Sequence, residues 1–226
     1  MSSSAAWKRA SAVSLAVAAS LWAWWVLRAP VDATQGLIQK VLYVHVPCVL
    51  GAYLGFAVTA LGGLLYLVRH EERFDRLAAA AAEVGVLFCS LVLLTGPIWA
   101  KGTWGRWWSW DLRLTLTLLL YLIYVSYLLL RSFTEGSERA ARFAAVYAIA
   151  GAPVMLLNYF AIDLAGGRTV HPENLGSGSL GAGMGMPFAL GMLTALAAFA
   201  HLLVRRLEVG VLRAELDRLE AEAERA

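Results

Sequence analysis

Four tryptophans, Trp104, Trp107, Trp108 and Trp110, fall within seven residues of the run from Lys101 through Gly105, Arg106 and Ser109 to Asp111. Indole rings are flat, apolar and polarizable, and so many together suit a planar aromatic ligand bound by stacking. Offsets of three, four and seven repeat a helix. A helical run would therefore put Trp104, Trp107, Trp108 and Asp111 on one face and turn Trp110 away. The plainer alternative is an interfacial belt at headgroup depth, with Asp111 capping the next helix. A belt explains one or two tryptophans, and four in one loop exceed what anchoring needs. Two histidines bear on the same chemistry. His45 opens an apolar segment and His171 sits in a polar loop; each alone would be an ordinary hydrogen-bonded or solvated side chain. Together, two imidazoles flanking an aromatic platform could supply both axial nitrogens to an iron held in a flat macrocycle. Pro47 and Pro172 follow them closely and stiffen the backbone there. Carboxylates on such a ring would need cations, for which Lys101, Arg106, Arg113 and Arg168 are the candidates.

These residues need a frame, and composition says what kind. The chain of 226 residues is 60% hydrophobic and 15% charged, with mean hydropathy +0.64. A water-soluble domain of that length carries far more surface charge, so lipid is the solvent for most of it. Crossing ~30 Å of hydrocarbon takes roughly 20 apolar residues per helix. Six runs meet that need, at about 10–27, 41–68, 77–100, 112–130, 143–162 and 186–204. The expected fold class is all-α, a polytopic bundle of six transmembrane helices. The net charge of +3 does not point to nucleic acid, because the basic residues sit in short clusters between apolar runs.

Those clusters set an expected orientation. Thirteen Lys and Arg lie in the amino terminus, the second and fourth loops and the tail, against six in the odd-numbered loops and their helix ends. The positive-inside bias puts both termini in the cytoplasm. His45, His171 and every tryptophan except Trp7 then fall toward the outer face, while His70 and His201 fall inside and read as structural. The first run follows Lys8 and Arg9, as a signal peptide would. It is long, ends in Trp22, Trp24 and Trp25, and lacks a clear small-x-small site, so it reads as a retained anchor. Cys48 and Cys89 lie in apolar runs with no CxxC or CxxCH, which excludes a thiol oxidoreductase and a c-type cytochrome and suggests packed helix residues.

Two further segments carry little chemistry. The stretch Gly176 to Gly185 resembles a nucleotide loop but lacks the Lys-Ser/Thr ending and a preceding strand; a flexible linker is the expectation. The tail, residues 205–226, has Leu207, Val211 or Leu212, Leu216 and Leu219 at helical spacing among charges. It reads as an amphipathic cytoplasmic helix, either solvated or docking a partner, beyond a six-helix domain at 1–204.

The segment Trp104-Gly105-Arg106-Trp107-Trp108-Ser109-Trp110-Asp111-Leu112-Arg113-Leu114-Thr115 closely resembles the tryptophan-rich WWD signature of haem-handling proteins in cytochrome c maturation. With six helices, His45 in Tyr43-Val44-His45-Val46-Pro47, and His171 in the third outer loop, the chain resembles the haem exporter protein C family (CcmC) over nearly its whole length. That resemblance implies a delivery protein rather than an enzyme. It would hold haem b on the outer face of the cytoplasmic (inner) membrane and load a periplasmic haem chaperone (CcmE-type), beside ABC transporter subunits and a small membrane subunit. It also implies His45 and His171 as axial ligands of the haem iron, and Trp104, Gly105, Trp107, Trp108, Trp110, Asp111 and Arg113 as the haem-binding surface. A haem lyase of the wider WWD family would carry more helices and further intramembrane histidines. A haem b-binding respiratory subunit would place histidine pairs inside the bundle, where only His201 is on offer. A solute transporter would show charge or broken helices at midplane, and Glu83 lies near a helix end instead.

Overall fold

Lipid leaves each spanning segment to satisfy its own backbone N–H and C=O groups, so long runs of Leu, Ala and Val become helices. The computed structural model describes residues 2–133, 138–175 and 180–225. It holds α1 (Ser2–Arg28), α2 (Leu42–Arg69), α3 (Glu72–Trp104), α4 (Leu112–Phe133), α5 (Glu138–Tyr159), the short α6 (Ala161–Ala165) and α7 (Gly185–Ala223). All but α6 are long and apolar enough to cross a membrane, which gives the six expected spans. Among the described residues there is no strand, only an isolated bridge between Asp32 and Gly36.

Four boundaries differ from the sequence expectation. A 3-10 turn over Leu37–Val41 leads into α2. Helix α3 runs on to Trp104 and stops at Gly105, whose positive φ of 73° and N–H bond to the Lys101 carbonyl (3.2 Å) close it. Helix α5 ends at Tyr159, and α6 makes up the next turn. Helix α7 passes through Arg205 without a break, because the charged tail is rich in Leu, Glu, Arg and Ala, all strong helix formers. Residues 176–179 of the glycine-rich stretch lie outside the described residues.

Helices α2 and α3 form the centre, and small residues let them approach. A Cβ on Gly55 would stand 2.4 Å from the Gly85 Cα, and one on Gly51 would meet the Phe88 ring at 2.5 Å. Close backbone approach of this kind is how membrane helices gain packing where no hydrophobic effect drives them together. The core they share with α4, α5 and α7 includes Phe56 stacked on Tyr124 (centroids 4.0 Å apart), with Cys48 and Cys89 both buried as expected. At the end of the bundle holding the chain termini, ion pairs join neighbouring helices: Arg131 to Asp75 (2.5 and 2.8 Å), Arg206 to Glu83, and Lys8 to Glu208 (3.0 Å). His201 is there, its Nδ1 3.2 Å from Ser11 Oγ, and His70 closes α2 in a left-handed conformation. The opposite end is left to His45, His171 and the tryptophans other than Trp7.

Candidate functional site

His45 stands in the first turns of α2 and is 8% exposed. Gly96 on α3 faces its ring, where a Cβ would lie 3.2 Å from the imidazole Cε1. Thr95 Oγ1 is 2.9 Å from His45 Nδ1 and also directs its hydroxyl to the Leu91 carbonyl at 2.7 Å. A hydroxyl has one proton to give. With that proton on Leu91, Thr95 can only accept from His45, so Nδ1 carries the hydrogen and Nε2 keeps its lone pair. Trp99, one turn further along α3, packs edge-on to the imidazole (5.8 Å, 77°) and donates its Nε1–H to Gln35 Oε1 at 2.8 Å.

His171 reaches the same state by a different route. Its Nδ1 is 2.8 Å from the Pro172 carbonyl. A carbonyl only accepts, so Nδ1 is again the protonated nitrogen and Nε2 is bare. The loop around it is fastened at two points to the start of α4. On one side the His171 N–H donates to Thr169 Oγ1 (3.1 Å), and Thr169 donates to Asp111 Oδ2 (3.2 Å). On the other, Arg113 Nη1 donates to Asn174 Oδ1 (2.6 Å). Asp111 also accepts from the Leu114 N–H (3.0 Å), the helix cap expected of it. Desolvation lowers the His171 pKa, against the Pro172 hydrogen bond, which raises it; Arg113 pushes down and Asp111 up. The imidazole thus stays neutral, and able to coordinate, further into acid than a solvated one.

Both histidines line one cavity of about 440 Å³, within the roughly 300–1,000 Å³ of cofactor and ligand sites. Trp99, Trp104, Trp108 and Arg113 line it too, and most of the remaining wall is apolar. Trp108 Nε1 and Thr103 Oγ1, on lining side chains, are buried without a hydrogen-bond partner among the described residues. Each unmet polar group costs about 1–3 kcal/mol, which a polar edge on a bound molecule would recover. Among the described residues, no group of three or more His, Cys, Asp or Glu side chains could hold a bare ion. Two bare imidazoles instead suit a metal whose remaining positions are filled by its own flat ring.

The tryptophan-rich segment is built differently from the helical face expected of it. It leaves the helix at Gly105 and is irregular to Asp111, so Trp104, Trp107, Trp108 and Asp111 share no common face. Trp104 and Trp108 turn to the cavity, whereas Trp107 (59% exposed) and Trp110 (76% exposed) stand outside it. Trp110 packs edge-on to Trp108 at 5.8 Å. Gly105 makes the corner. Of the four candidate cations only Arg113 lines the cavity; Lys101 donates to the Gly105 carbonyl (2.9 Å) and Arg168 to that of Ala165 (3.3 Å). The residues that sequence reasoning missed are the supports: Thr95, Gly96 and Trp99 under His45, and Thr169 and Asn174 around His171.

The fold and the cavity define a class: a multi-pass helical membrane protein with paired imidazoles in an aromatic chamber at one end of its bundle. The chain matches the family described as Heme exporter protein C (CcmC) over residues 1–222, and it belongs to that family. Heme exporter protein C of Paracoccus denitrificans is 33% identical over 157 residues, 70% of this chain and 64% of that protein. The Bradyrhizobium diazoefficiens protein of the same name is 33% identical over 190 residues, 84% of this chain and 71% of its own length. That of Escherichia coli K12 is 34% identical over 146 residues, 63% and 58% respectively. The matched region thus spans less than two thirds of the Paracoccus and Escherichia relatives.

Proposed function

We propose that this protein holds haem b on the outer face of the cytoplasmic membrane and delivers it to a periplasmic haem chaperone for cytochrome c maturation, with no reaction of its own to catalyse. One observation carries the reading: two imidazoles, each with Nδ1 engaged and Nε2 bare, line one cavity of aromatic and apolar residues. His45 is the fixed ligand, buried between α2 and α3. His171 is the releasable one, carried on a loop fastened by a few hydrogen bonds. Trp104 and Trp108 stack on the ring, and Arg113 holds a propionate. Trp107 and Trp110, exposed beside the chamber, receive the chaperone at the open edge of the haem, where a vinyl group is presented. ABC transporter subunits and a small membrane subunit complete the assembly that releases the loaded chaperone.

The lowered pKa of His171 gives a pH dependence with a defined sign. Ligation needs the neutral imidazole, and iron competes with the proton for Nε2, so ligation holds above the folded pKa and is lost only once pH has fallen below it. Six-coordinate haem should therefore survive acidification past pH ~6.5, the value for a free imidazole, and give way only below it. An absorption titration between pH 8 and 4 checks this; loss beginning above pH 6.5 would contradict it.

Delivery is tested by immobilising the protein and offering the soluble domain of the chaperone with and without haem. Capture should depend on haem and weaken in Trp107→Ala. Capture that ignores haem would refute delivery. Reporter fusions after Arg73 and Arg139 should report cytoplasm, and those after Trp104 and Glu173 the outside; a cytoplasmic report at Trp104 would put the chamber on the wrong face.

A further inference from the structure

Helix α7 is 39 residues long, ~58 Å at 1.5 Å per residue, about twice the ~30 Å thickness of a bilayer core. Its first part, Gly185 to Val204, contains no Asp, Glu, Lys or Arg, whereas nine of the 19 residues from Arg205 to Ala223 do. The second part has therefore left the hydrocarbon, and lipid contact does not explain apolar side chains exposed on it. Val209, Leu212, Leu216, Leu219 and Ala223 repeat at alternating spacings of three and four, the a and d positions of a heptad. All five are exposed: Val209 41%, Leu212 68%, Leu216 54% and Leu219 51%, with Ala223 likewise uncovered. Leu207, part of the stripe expected from the sequence, is half-buried, and Val211 lies off the seam.

The positions flanking that seam identify what can cover it. Glu208, Glu215 and Glu222 occupy g, and Arg213 and Glu220 occupy e, four acids to one base. Lys8 and Arg205 already neutralise Glu208, and Arg218 pairs with Glu222 along the helix. Glu215 and Glu220 have no cationic partner among the described residues. A second copy in the same membrane would have to run parallel. In a parallel pair a g residue faces the e residue of the next heptad, so Glu215 would face Glu220 of the other copy, like against like, whereas Glu208, which would face Arg213, is already held by Lys8 and Arg205. An anionic membrane surface is disfavoured by the same two carboxylates.

We propose that residues 209–223 form a docking helix for a partner helix that carries an apolar heptad seam flanked by Lys or Arg. Glu215 and Glu220 select its charge, and Leu212 and Leu216 supply the seam. The inference is independent of the haem reading, and its test contains no haem.

The full-length protein in nanodiscs is titrated against two labelled three-heptad peptides with Leu at a and d, one with Lys and the other with Glu at e and g, followed by fluorescence anisotropy. The Lys-flanked peptide should bind at least tenfold more tightly, and its affinity should fall with salt. Leu212→Asp with Leu216→Asp should abolish binding, while Glu215→Lys with Glu220→Lys should exchange the peptide preference without altering the protein's helicity. Equal binding of the two peptides, binding of neither, or no effect of the Leu substitutions would overturn the proposal. So would a tail-dependent dimer by sedimentation, or quenching of a polarity-sensitive dye at Leu216→Cys by brominated lipid, since a second copy or the bilayer would then be the occupant.

Discussion

Replacing His45 and His171 together with alanine is expected to abolish six-coordinate haem, the largest single effect in the site. Supporting residues around metal ligands typically cost 10–100-fold in affinity when removed, so loss of both ligands should exceed roughly 100-fold. The single variants should differ from each other. His45 fills a slot bounded by Gly96, Thr95 and Trp99, which His45→Gly would leave as a walled space that free imidazole can enter and refill. His171 is on a loop, and without it the iron should take water on that side. His70→Ala and His201→Ala, at the far end of the bundle, should leave the spectrum unchanged. An unaltered spectrum in the double variant would remove the ligands from this assignment.

Breaking the link between Asp111 and His171 should have the next largest effect, and Thr169 is the place to break it. Thr169→Val keeps the shape and removes both hydrogen bonds of the relay, whereas Thr169→Ser keeps them. Each bond contributes about 0.5–1.5 kcal/mol net, so losing both should shift the balance between ligated and unligated His171 by roughly 5- to 160-fold. The serine variant should behave as the unaltered protein. Asp111→Ala should show the same spectral change plus a small loss of stability, on the order of 1 kcal/mol, because it also caps α4. If the relay is one unit, Asp111→Ala with Thr169→Val should lose little more His171 ligation than the stronger single variant. Additive losses, or valine and serine variants that behave alike, would show that the aspartate does not act through Thr169.

This relay alters the meaning of the aspartate. From the sequence, Asp111 belongs with the tryptophans as part of one surface. In the fold its carboxylate serves the helix start and the His171 loop, and it does not line the chamber. The six spans were legible because hydrophobic length alone decides them, and His45 and His171 could be paired because loop parity brings them to one end. Helical spacing failed at Gly105, where a glycine at positive φ stops α3 just as the tryptophans begin. Thr169 and Asn174 left no local signal, since their partners at Asp111 and Arg113 are 58 and 61 residues away. Thr95, Gly96 and Trp99 were closer to readable. A threonine, a glycine and a tryptophan within five residues of a largely apolar stretch of α3 share one face, and each meets the His45 side of the site.

Electron paramagnetic resonance of the ferric, haem-loaded protein in nanodiscs tests most directly whether one haem sits, as proposed, between Nε2 of His45 and Nε2 of His171. The geometry predicts a low-spin signal of the bis-imidazole type that accounts for nearly all the bound haem at pH 7. A high-spin signal would mean that at most one histidine reaches the iron. A thiolate-type low-spin signal would transfer ligation to Cys48 or Cys89, in or beside the chamber wall. Either result would contradict the paired-imidazole site.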